Sequence, residues 1–140
     1  MALDLSNLRK ALTSLEKAIT ITSAASIKHQ VNKDEEEVLR AGVIQNFEFT
    51  YEICWKFMKR WLEANINSST IDGLSRKELF RIAAESQLIH NTEDWFFYHK
   101  ARNEIAHTYN IETAQGVYLA ALRFATDAKI LLQVLESKND

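Results

Sequence analysis

Apolar residues recur along this chain at intervals of three and four, the spacing of helices that each bury one face. Leu5, Leu8, Leu12, Leu15 and Ile19 form a narrow seam that predicts a first helix from about Asp4 to the mid-twenties. Thr22, Ser23 and Ser26 weaken the pattern, and His29 to Lys33 reads as a loop. A second and longest helix is predicted from about Asp34 to Asn65. Leu39, Val43, Phe47, Tyr51, Cys54, Met58 and Trp61 make one stripe, with Phe49, Ile53 and Phe57 beside it. An apolar arc that wide packs on more than one neighbour. The acidic opening Asp34-Glu35-Glu36-Glu37 suits the positive end of a helix dipole and reads as a solvated first turn.

Asn67 to Gly73 is a turn-rich break. Ser75-Arg76-Lys77-Glu78 fits a capping box and opens a third helix ending near Gln87. A short fourth helix follows from about Glu93 to His107. Asn110 can cap a fifth, in which Val117, Ala121, Phe124, Ala128, Leu131 and Leu135 form a seam. The chain has no proline to break these helices. Gly42 and Gly116 fall inside helical patterns, where glycine costs up to about 1 kcal/mol against alanine; close approach of neighbouring helices is the expected reason for both. The fold expected is all-α, an antiparallel up-and-down bundle of four main helices plus a short extra one, in a single domain spanning residues 1–140.

Composition adds bounds. The chain is 46% apolar and 26% charged, an ordinary soluble balance. No apolar run approaches the roughly 18 residues of a membrane span, so no membrane contact is expected. Met1-Ala2-Leu3-Asp4 lacks the blocks of a signal peptide, and the lone Cys54 cannot form an internal disulfide; a cytoplasmic location is the expectation. The net charge of −2 gives no global basic field for nucleic acid. Contact with RNA would rest on a local cluster or on a groove completed by a second subunit.

Two features exceed what a bundle requires. The first is Trp95-Phe96-Phe97-Tyr98. Successive helical residues lie about 100° apart, so the four cannot all face one core. Either this short helix is buried nearly all round, or the run forms a partner surface, with His99, Lys100 and Arg102 as its positive edge. The second is the polar segment from Arg102 to Tyr109. Asn103, Glu104 and His107 neighbour one another on a helix face, Arg102 is long enough to wrap toward them, and Tyr109 sits just past the helix end. Arginine offers a planar fork for phosphate oxygens, and histidine can give or take a proton near neutral pH. A helix end merely decorated with cations, which the dipole favours, is the plainer alternative. Glu104-x-x-His107 has the spacing of di-iron bundles, and Glu48 and Glu52 are four apart. Such sites need two Glu-x-x-His pairs, however, and one is present. No zinc pattern and no glycine-rich phosphate loop occurs, and neither a metal nor another cofactor is expected.

Arg102-Asn103-x3-His107-x-Tyr109 resembles the Arg-x4-6-His signature of the HEPN superfamily, and more narrowly its HepT-like and nucleotidyltransferase substrate-binding protein branches. Ile44 to Lys56, with its Phe47-Glu48-Phe49-Thr50-Tyr51-Glu52 core, resembles the long-helix segment of the second branch, and Trp95 fits it too. Asn46 stands where some relatives carry a basic residue. The resemblance implies a homodimer with its motif helices facing across the interface and a nucleotidyltransferase encoded nearby as partner. Many such relatives are metal-independent endoribonuclease toxins, some silenced by AMP attached to the motif tyrosine, here Tyr109. On that reading Arg102 and His107 are catalytic, Asn103 and Tyr109 support them, and Glu48 or Glu52 either positions Arg102 or serves as a plain core-edge ion pair. Trp95, Phe96, Phe97 and Tyr98 serve the interface. A non-catalytic subunit that binds the nucleotidyltransferase, or a purely structural helical dimer, are the other readings.

Overall fold

The computed structural model describes residues 2–28 and 31–139. Six helices follow in order: α1 Ser6–Ile27, α2 Lys33–Asn65, α3 Ser68–Ile71, α4 Arg76–Glu85, α5 Thr92–His107 and α6 Ile111–Lys138, with no strand among the described residues. The all-α bundle expected from the apolar spacing is therefore the fold. Cross-helix pairs give its directions. Thr50 reaches the Ala11 carbonyl, Asn46 accepts from Ser14, and Thr22 reaches the Leu39 carbonyl, so α1 and α2 are antiparallel. Asn139 bonds both backbone groups of Leu3, and Arg9 pairs with Glu136, so α1 is antiparallel to α6 as well. Arg40 with Tyr118, Phe47 with Phe124 and Lys138 with Trp61 run in step, so α2 and α6 are parallel.

Helix starts follow from side-chain caps. Asn32 and Glu35 form a capping box that starts α2 at Lys33, slightly before the expected Asp34. Ser75 and Glu78 cap α4 as expected, Asn91 starts α5 at Thr92, and Asn110 caps α6. Within the expected loop from His29 to Lys33, His29 and Gln30 lie outside the described residues. The break from Asn67 to Gly73 holds one helical turn, α3. The Asn67 side chain accepts from the Ser69 and Thr70 amides, and Ile71 is buried as the anchor of that turn. Helix α4 stops at Glu85, before the expected Gln87. There Gln87 takes a φ of 63° and the Leu88 amide closes onto the Ala83 carbonyl.

One continuous core joins α1, α2, α4, α5 and α6. Its centre is aromatic: Phe124 meets Phe47, Tyr98 and Trp95 edge-on at ring distances of 5.1, 5.3 and 5.6 Å. The broad face of α2 divides among several neighbours, with α1 over Thr50, α6 over Phe47, α5 over Tyr51 and Glu52, and α4 over Tyr51 and Trp55. Phe49 points into the arc these leave open and is 62% exposed, so the second stripe is buried only from Ile53, which is half-buried, onward to Phe57. Leu39 and Trp61 at the ends of the first stripe are likewise half-buried.

Close approach does not explain the helical glycines. A Cβ on Gly42 or Gly116 would meet no atom within 4 Å. Gly42→Ala and Gly116→Ala are each expected to stabilise the protein by about 0.5–1 kcal/mol, because alanine costs less backbone entropy. Denaturant midpoints of the two variants check this; a lower midpoint would mean that the open space is occupied in solution.

Candidate functional site

Helix α5 divides the aromatic run between its two faces. Trp95, Tyr98, Ala101 and Ile105 recur at three and four residues and are buried. Tyr98 donates its hydroxyl proton to Asp127 of α6. Phe96 and Phe97 are left 36% and 42% exposed. Trp95 and Tyr98 are thus core residues rather than interface residues, because the helix must bury its α6-facing side to be held at all. Lys77 lies over the Phe96 ring and Arg123 over the Phe97 ring, at 5.3 and 5.0 Å.

The opposite face of α5 forms an open groove of about 540 Å³. Phe96, His99, Lys100, Asn103, Glu104 and His107 line it from one helix face, with Thr113 of α6 across from them. His107 is exposed at the C-terminal end of α5, where the dipole favours a cation. The groove therefore presents two imidazoles, an ammonium and an amide, together with one carboxylate.

Arg102 does not join this lining. It turns toward α2, where Nε lies 3.1 Å from Glu52 Oε1. This is an ion pair without hydrogen-bond alignment, since the buried Nε–H has no acceptor in line. Glu48, one turn earlier on α2, is near enough to feel the same charge. Burial raises the Glu48 pKa while Arg102 pulls it down. Of the two acidic residues expected to position Arg102, Glu52 makes the contact. The other carboxylate oxygen of Glu52 accepts from Trp55 Nε1 at 3.0 Å.

Asn103 is held by His99, which the sequence suggested only as part of a positive edge beside the aromatic run. Its Nδ2 lies 3.2 Å from His99 Nε2, and His99 Nδ1 lies 2.7 Å from the hydroxyl of the buried Tyr51. Arg76 of α4 donates to the same hydroxyl at 3.1 Å. Burial pushes the His99 pKa down, as do the Arg76 and Arg102 charges; burial pushes that of Tyr51 up. The sequence held part of this: His99 precedes Asn103 by four and His107 by eight, which places all three on one face. Arg76 arrives from another helix and carried no such signal.

Tyr109 is 67% exposed and lines a separate groove of about 320 Å³ with Glu36, Glu37, Arg40, Ile44 and Ile111. The arginine, histidine and tyrosine of the motif therefore do not converge on one spot within a single chain. The extended backbone at Thr108 carries the chain from the end of α5 toward α2. Asn46 faces α1, bonding Ser14 and the Gly42 carbonyl, so it does not affect the charge of the α5 groove. Among the described residues, no three His, Cys, Asp or Glu side chains gather as a metal ion would require. Nor is any helix long and apolar enough to cross a membrane.

A bundle with an Arg-Asn pair braced from α2 and a histidine at the end of α5 defines a class. Residues 3–137 match the family described as nucleotidyltransferase substrate binding protein like, and the chain belongs to that family. Among its relatives is the "Probable ribonuclease HepT" of Haemophilus influenzae, 34% identical over 98% of this chain and 94% of that protein. A solved Haemophilus influenzae structure, described as the fold of a substrate-binding domain of a nucleotidyltransferase, is also 34% identical. It superposes with a TM-score of 0.88 over 95% of this chain and 99% of that one. A crystal structure from Thermus thermophilus shares the fold at 24% identity, with a TM-score of 0.63 over 86% of this chain and 98% of that one.

Proposed function

We propose that this protein is a metal-independent endoribonuclease working in a two-gene module with a small nucleotidyltransferase, which silences it by attaching AMP to Tyr109. The observation that carries this reading is the open α5 groove, lined by exposed His107 and half-buried Asn103, with Arg102 next along the helix braced against Glu52 on the α2 side. A relative named as a probable ribonuclease supports it. In the reaction, a base removes the proton of a ribose 2′-hydroxyl and the 2′-oxygen attacks the adjacent phosphorus. The bond to the 5′-oxygen breaks, and that oxygen takes a proton from an acid, leaving a 2′,3′-cyclic phosphate and a free 5′-hydroxyl. His107 is the proton-transfer group. Arg102 binds the phosphate and offsets its growing charge, and Asn103 orients it. A homodimer joined through α5, with the exposed Phe96 and Phe97 in its contact, brings two copies of His107 into one cleft, so that one can act as base and the other as acid.

Silencing needs Tyr109 reachable, and its exposure meets that need. The phenol oxygen loses its proton and bonds to the α-phosphorus of ATP, and pyrophosphate leaves. The second reading is a non-catalytic subunit that binds the nucleotidyltransferase. It is favoured by the placing of Tyr109 in a groove of its own, away from His107. Co-expression with the nucleotidyltransferase encoded alongside tests the module. The expected outcome is a stable complex and a mass increase of one or more AMP groups that disappears in Tyr109→Phe. If no complex forms and the mass is unchanged, control by this partner is ruled out.

A further inference from the structure

The motif pair Arg102-Asn103 is gripped from two sides, and both grips lead to one residue outside the groove. Along the first, Arg76 Nη1 donates to the Tyr51 hydroxyl at 3.1 Å, that oxygen lies 2.7 Å from His99 Nδ1, and His99 Nε2 lies 3.2 Å from Asn103 Nδ2. Along the second, the Arg76 guanidinium stacks 3.5 Å above the Trp55 ring. Trp55 Nε1 donates to Glu52 Oε2 at 3.0 Å, and Glu52 Oε1 pairs with Arg102 Nε at 3.1 Å. Arg102 and Asn103 are consecutive, so the two chains close a ring.

One tautomer of His99 matches both of its neighbours. The Asn103 amide presents N–H to His99, so Nε2 accepts and the imidazole proton sits on Nδ1. That proton points at the Tyr51 oxygen, which also accepts from Arg76. A neutral His99 fits this orientation of the amide, because an imidazolium would set a second N–H against the Asn103 N–H. Partial burial and the neighbouring guanidinium groups favour the neutral ring. Arg76 suits the node for a specific reason. Its planar fork can stack on an indole while one nitrogen donates sideways, which a lysine ammonium cannot reproduce.

We infer that Arg76 is the positioning residue of the motif, setting the side-chain orientation of Asn103 through Tyr51 and His99 and that of Arg102 through Trp55 and Glu52. The link to catalysis rests on the proposed ribonuclease reading; the two chains themselves do not. An ordinary tie between α4 and α2 would cost stability when cut and leave the groove side chains as they were.

Nitrogen-15 spectra of the full-length protein separate these cases. Tyr51→Phe keeps the ring packed and removes only the hydroxyl. It is expected to shift the His99 ring nitrogens and the Asn103 side-chain amide while leaving Arg102 Nε in place. Trp55→Phe is expected to do the reverse, and Arg76→Gln to move both. Unmoved Asn103 and Arg102 signals in Arg76→Gln, with an otherwise native backbone spectrum, would overturn the inference. On RNA, Arg76→Gln is expected to lower kcat by about 10²-fold, the cost of misplacing reacting groups by about 1 Å, with KM near wild type and no rescue in Arg76→Lys. A rise in KM alone would make Arg76 an RNA contact and also overturn it. If wild type cuts no RNA, the ribonuclease reading fails, and the spectra still decide the positioning role.

Discussion

His107→Ala is expected to slow RNA cleavage by about 10²–10⁴-fold, the usual contribution of a positioned proton-transfer group. His107 is exposed, so the thermal midpoint of that variant should stay near wild type. Arg102→Ala is expected to cost about 10²–10³-fold, in the range of losing one electrostatic donor at a developing charge. Arg102→Lys should rescue little, since an ammonium offers no planar fork to share between Glu52 and a phosphate. Arg102→Ala also leaves the Glu52 and Glu48 carboxylates without their shared cation, so it should lose some stability where His107→Ala loses none. Initial rates on a labelled RNA, taken with melting curves, separate the two effects. A His107→Ala protein that cuts as fast as wild type would sink the catalytic assignment.

Phe124→Ala is expected to be the most damaging single change to the fold, at about 3–5 kcal/mol. Its ring is fully buried and meets Phe47, Trp95 and Tyr98 edge-on, so truncation opens a cavity where α2, α5 and α6 meet. Against a total stability of about 5–15 kcal/mol, that loss leaves the bundle marginal. It should also reach the groove, because Tyr98 and Trp95 seat α5 against this ring. Urea unfolding followed by far-ultraviolet circular dichroism measures it. A loss below about 1 kcal/mol would mean that the aromatic centre repacks freely, against the close packing of these four rings.

The helices were legible because each seam buries one face against a neighbour: Leu8 to Leu15 in α1 and Val117 to Leu135 in α6 are core residues as their spacing requires. Misreadings came where a neighbour's position decides the outcome. Phe49 follows the apolar pattern of α2 yet points between its neighbours. Gly42 and Gly116 suggested close approach and have open space. The Asn67–Gly73 break concealed a turn of helix because one buried isoleucine outweighs its turn-forming composition. In the site, the shared face of Asn103 and His107 is legible from helical spacing, and a place for Glu48 or Glu52 beside Arg102 follows only from the family resemblance. The turning of Arg102 toward Glu52, the separate groove of Tyr109 and the arrival of Arg76 depend on how α2, α4 and α5 cross. No single helix encodes that in its own period.

The most direct test of the ribonuclease reading is induction of wild type and of the Arg102→Ala/His107→Ala double variant in a host without the nucleotidyltransferase, at equal soluble expression, with growth and total RNA followed together. The account predicts that wild type alone arrests growth and fragments RNA. Intact RNA and normal growth with both proteins would contradict it, and would make the motif a binding site on a subunit of the nucleotidyltransferase.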